Sequence, residues 1–83
     1  MPKFIDHHEM SDVAPEMAAG IAERIKSGEP DEHGVKGLNV FMAKDGTAYC
    51  LSEAPNADAV VQAHQAVGFA LEESDVVEVQ SVV

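Results

Sequence analysis

The sequence is short of most features that fix a function at once. Of its 83 residues one is cysteine, none is tryptophan, three are phenylalanine and one is tyrosine. A lone thiol, Cys50, excludes an internal disulfide and suits a reducing cytoplasm, the location expected for this chain. No apolar run approaches the roughly 20 residues of a membrane span. Met1-Pro2-Lys3-Phe4 leads straight into strand-like sequence, without an apolar leader. Cations are scarce too: five Lys and Arg stand against fifteen Asp and Glu, a net charge of −10. Such a surface repels phosphate backbones and anionic lipid, so neither nucleic acid nor a membrane is an expected partner. An acidic balance suits cations, and it equally suits plain solubility. A phosphate loop, a CxxC pair and a serine elbow are also missing.

What is present is periodic. Hydrophobic residues make up 46% of the chain, enough for a globular domain, expected to span residues 1–83 as one unit. Residues 3–8 read as a strand. Ser11 and Asp12 open a helix whose apolar side chains, Ala14, Met17, Ala18, Ile21, Ala22 and Ile25, recur near every 3.6 residues, and Lys26 with Gly28 closes it. A polar, Gly/Pro-punctuated loop covers 28–34. Two strand-like runs, about 37–44 and 47–53, flank Asp45-Gly46, a strong hairpin signal. Asn56 is a good N-cap for a second helix running to Gly68, with Val60, Ala63, His64 and Val67 on one stripe. A final strand follows in "VVEVQSV".

The order β-α-β-β-α-β predicts an α+β, ferredoxin-like fold: a four-stranded antiparallel sheet carrying two helices on one face, with the first and third strands in the middle. The strands at 37–44 and 47–53 look apolar on both faces, through Val40 and Phe41, and through Tyr49 with Leu51 against Ala48 with Cys50. Two helices cover one face only. A second copy of the chain is the expected cover for the other, hence a homodimer.

The chemistry-bearing residues cluster in "FIDHHEM", residues 4–10. In a strand Asp6 and His8 share one face while His7 and Glu9 share the other. Glu53 ends the third strand, expected to run beside and parallel to the first, and His64 lies on the apolar stripe of the second helix. Asp6, His8, Glu53 and His64 would then supply mixed N/O ligands suited to a divalent first-row metal. A His on an apolar stripe is also explained by a core imidazole bonded to backbone, so both readings stand. Cys50 faces away from Glu53 and reads as a small buried residue or a further ligand; His33 reads as a solvated loop residue.

At 49–68, "YCLSEAPNADAVVQAHQAVG", the chain resembles the DUF4242 family of small bacterial proteins, which includes nickel-binding members. The resemblance rests on Asp6 and His8 as D-x-H, on Cys50, Glu53, Ala54 and Pro55 as C-x-x-E-A-P, and on His64 in the helix that follows. It implies a ferredoxin-like dimer and makes nickel, or another divalent transition metal, the leading ligand. A competing expectation is an enzyme of the dimeric α/β-barrel kind, monooxygenase- or isomerase-like, with His8 or His64 as acid/base on a small organic substrate. The fold hosts many functions and does not choose between them.

Overall fold

Strand-forming sequence near both ends of the chain and around Asp45-Gly46 builds one four-stranded sheet in the computed structural model, which describes residues 1–9, 15–66, 68, 71–80 and 82. The elements run β1 (Lys3–Glu9), α1 (Pro15–Ser27), β2 (Lys36–Met42), β3 (Thr47–Glu53), α2 (Ala57–Ala66) and, after a 3-10 turn at Glu73–Asp75, β4 (Val76–Val79). Their order across the sheet is β2-β3-β1-β4, with every neighbouring pair antiparallel. This is the expected ferredoxin-like arrangement, with β1 and β3 in the middle.

One relation differs from expectation. β3 lies beside β1 but antiparallel to it, so that Lys3 faces Glu53 and Glu9 faces Thr47. The reason is topological: the α1 crossover returns the chain along β1's direction in β2, and the hairpin then reverses it. The hairpin loop also takes more residues than a two-residue turn. β2 stops at Met42, the Gly46 N–H donates to the Ala43 carbonyl at 3.1 Å, and the Thr47 N–H donates to Asp45 Oδ1 at 2.9 Å. Gly46 has a φ of +92°, a conformation that favours glycine.

Asn56 caps α2 as its sequence position suggests, its Oδ1 accepting from the Ala59 N–H at 2.9 Å. The expected helix start at Ser11 and Asp12, the stripe residue Ala14, the side chains of Met17 and Ala18, Val67 and the strand residue Ser81 lie outside the described residues.

The helix-facing side of the sheet carries Phe4, Asp6 and His8 from β1 and Ala48, Cys50 and Ser52 from β3, following the period of two. Under α2, Phe4, Ala54, Val60 and Leu71 form the buried cluster, flanked by Val35, Ala57, Ala59 and Val76. α1 packs on β2 so closely that a Cβ on Gly37 would stand 3.0 Å from Ile25 Cγ1. The opposite sheet face presents Ile5, Leu51, Tyr49, Phe41 and Val77, the last three 38, 52 and 56% exposed. It is apolar and open. Among the described residues, no helix is long and apolar enough to cross a membrane.

Candidate metal centre

The helix-facing parity of β1 aims Asp6 and His8 under α2. Antiparallel register then sets Asp6 opposite Cys50 and His8 opposite Ala48. His64 comes from α2, one turn beyond the fully buried Val60 that anchors the helix to the core. One ligand atom from each of Asp6, His8, Cys50 and His64 lies within 4.8 Å of the others.

Hydrogen bonding orients both rings. His64 Nδ1 lies 2.8 Å from the Val60 carbonyl, which can only accept, so Nδ1 carries the proton. Nε2 is thereby turned to Asp6, 3.0 Å from Oδ2. His8 repeats the pattern more loosely: Nδ1 is 3.4 Å from the Glu9 carbonyl and Nε2 is 3.6 Å from Cys50 Sγ. The two rings meet edge to face, with centroids 5.6 Å apart. Such a carbonyl contact on the far nitrogen is what fixes the tautomer of a metal-binding His.

Asp6 is fully buried, and among the described residues neither of its oxygens accepts a well-aligned hydrogen bond. The 3.0 Å approach of His64 is therefore an ionic contact more than a directed one. A buried carboxylate without such bonds costs several kcal/mol unless a cation sits beside it. Two species can fill that role: a proton on His64 Nε2, or a metal ion. The donor set fits the second, because imidazole and thiolate suit first-row metals such as Ni and Zn. Four ligands around one ion stand about 3.3–3.8 Å apart, roughly 1.6 times the usual bond length. Closing a 4.8 Å group onto an ion needs each ligand atom to move by up to about 1 Å.

The electrostatics fit a site that waits for a cation. Burial pulls the His64 imidazole down, but the Asp6 carboxylate, the Val60 carbonyl and Asp31 outweigh it and hold the pKa above 6.5. Burial first, and then Asp6, pushes the Cys50 thiol up to about 12. Folding therefore favours the proton on His64. Its stabilising contribution is complete below the unfolded value of about 6.5 and is lost as pH rises through the higher folded value. The metal-free protein is expected to lose stability as pH rises above about 6.5. Urea midpoints measured across that range check this, and a rising midpoint would contradict it.

Three of the four residues singled out in the sequence, Asp6, His8 and His64, are brought together. Glu53 is not. It pairs with Lys3 at the other end of β3 and, by parity, shares the face of Leu51 and Tyr49. Cys50 stands where Glu53 was expected. The signal that finds it is register: Asp6 and Cys50 are the middle residues of two paired seven-residue strands, and the antiparallel direction carries Glu53 to the Lys3 end. His7 is on the open face, its ring 6.3 Å from Tyr49 and its Nε2 3.9 Å from Asp75. His33 belongs to an ordered turn and not to a loose loop: Asp31 Oδ1 accepts from the His33 and Val35 N–H groups at 2.8 and 3.0 Å.

A family model described as nickel responsive protein SCO4226-like matches residues 4–79. No curated protein matches. Among solved structures, the crystal structure of SCO4226 from Streptomyces coelicolor A3(2) is similar, with a TM-score of 0.69 and 28% identity over 98% of this chain and 99% of that one. With nearly its whole length matched, the chain belongs to the SCO4226-like family of nickel-responsive proteins.

Proposed function

We propose that this protein binds a divalent transition metal, nickel foremost, through Asp6, His8, Cys50 and His64. The observation that carries the reading is the fully buried Asp6 carboxylate, which has no well-aligned hydrogen bond among the described residues and is faced by an imidazole Nε2 at 3.0 Å. The family description favours nickel, and so does the DUF4242 resemblance of the C-x-x-E-A-P segment. Binding displaces the Cys50 thiol proton and any proton on His64, so affinity rises with pH where metal-free stability falls. A free thiol of this kind is at home in the cytoplasm.

The assembly expected with it is a homodimer through the open sheet face. Phe41, Tyr49 and Val77 are too exposed there for a lone chain, and Ile5 and Leu51 between them are half-buried. Light scattering at micromolar concentration should report about twice the chain mass, and Phe41→Glu should return single chains. A native protein that scatters as one chain contradicts the dimer and leaves the metal site standing.

Nickel titration of tag-free protein by calorimetry tests the function. About one ion per chain is expected. His8→Ala should bind at least about tenfold more weakly, with His33→Ala close to native. Equal affinity in all three proteins would reduce the group to packing.

A further inference from the structure

The helix-facing side of the sheet buries a second polar side chain besides Asp6. Ser52 is 4% exposed, and its Oγ has no hydrogen bond among the described residues. Its neighbours across the sheet offer it none: Phe4 stands opposite on β1 and Gly37 opposite on β2. Over Gly37 packs Ile25, with Cγ1 only 3.0 Å from where a Cβ would lie, so an apolar side chain fills that place. A buried hydroxyl left in this way costs the fold stability unless a partner reaches it.

Ser52 lines a cavity of about 660 Å³ between α1 and the sheet, a size usual for small-molecule sites. A second atom of the same wall is in the same state: His33 Nδ1 is buried without a hydrogen bond among the described residues. Asp31 Oδ1 stands 4.0 Å from it, too far for a hydrogen bond, and already accepts the His33 and Val35 N–H groups at 2.8 and 3.0 Å. Those two bonds fix the turn that holds His33 at the wall. Ile21, Ile25 and Val40 make much of the rest apolar. Charge narrows the occupant further. Asp31 and Glu32 line the cavity and repel an acid, while Arg24 lines it too and repels an ammonium group. A hydroxyl is neutral and both donates and accepts, so it can answer a serine Oγ or an imidazole nitrogen in either role.

We infer that the cavity binds a small neutral molecule with hydroxyl groups on an apolar body, the hydroxyls bonding to Ser52 Oγ and His33 Nδ1 and the body lying against Ile21, Ile25 and Val40. No metal ion takes part in this recognition. Its failure therefore leaves the centre of Asp6, His8, Cys50 and His64 untouched.

Hexylene glycol, hexanoate and hexylammonium are the probes, alike in carbon number and different in head group, with ethylene glycol as the diol that lacks an apolar body. Amide chemical shifts of the full chain, titrated in the presence of a chelator, should move at Ser52, His33 and Ile25 with hexylene glycol. That diol should bind at least about tenfold more tightly than either ion, and than ethylene glycol, since buried methylenes add to affinity. Ser52→Ala should weaken it at least about fivefold, the effect of one lost hydrogen bond. The same variant should keep or raise the urea midpoint, because the hydroxyl removed has no partner inside the protein. Hexanoate or hexylammonium binding as tightly as the diol in the native chain overturns the inference, as does a cavity that takes up none of the probes. Unchanged diol binding by Ser52→Ala overturns it too, and so does a clear fall in that variant's midpoint, which would reveal an internal partner for the hydroxyl.

Discussion

Replacing His64 by alanine is expected to weaken nickel binding by about a hundredfold or more. Loss of a group that merely orients a ligand costs about 10–100-fold, and His64 is argued to be a ligand itself. Its Nε2 is held toward Asp6 by the Val60 carbonyl behind Nδ1, so no neighbouring side chain can substitute for it without losing that alignment. The variant has a second expected effect. Buried Asp6 favours the protonated form of His64, and removing the imidazole takes that partner from the carboxylate. The fall of metal-free stability as pH rises above about 6.5 should therefore flatten in His64→Ala. Competition with a chromophoric chelator reads the affinity, and urea midpoints read the pH dependence. A variant with near-native affinity and an unchanged pH profile would make His64 a packing residue.

Phe4→Ala is expected to destabilise the fold by about 3–5 kcal/mol. Phe4 is 3% exposed and sits in the cluster with Ala54, Val60 and Leu71. That cluster is small, and its other members are not large: among the largest fully buried side chains are Val60 and the polar Asp6. The ring therefore contributes a large share of the apolar contact beneath α2. Small domains have only about 5–15 kcal/mol in total, so the variant should be substantially unfolded or melt far below the native protein. Chemical denaturation checks it, and a loss under about 1 kcal/mol would place the core elsewhere.

β1 shows what sequence makes legible. Phe4, Asp6 and His8 alternate with Ile5, His7 and Glu9, so the division of β1 into two faces needs nothing beyond the period of two. Asn56 and Asp45-Gly46 likewise announce a cap and a turn through local hydrogen bonds. Glu53 and Cys50 depend on a relation that is not local. Which residue of β3 stands opposite Asp6 follows from register, and strand direction decides whether Glu53 ends beside Glu9 or beside Lys3. The Asp31 turn is hidden for a related reason. A polar, charged stretch gives no hint that one side-chain oxygen will collect the N–H groups of His33 and Val35. Nor does it show that His33 will line a cavity shared with His8 and His64.

The choice between Cys50 and Glu53 is also where the account is most directly tested. Cobalt(II), a spectroscopic stand-in for nickel in a site of nitrogen, sulfur and oxygen ligands, gives an intense near-ultraviolet thiolate-to-metal band only when sulfur is bound. Titrated into the native protein it should develop that band as the Cys50 proton is displaced. Glu53→Gln should show the same band at the same cobalt concentration, and Cys50→Ser should show none and bind more weakly. A native spectrum without the band, or a Glu53→Gln variant that loses cobalt while Cys50→Ser keeps it, would contradict a centre built from Asp6, His8, Cys50 and His64.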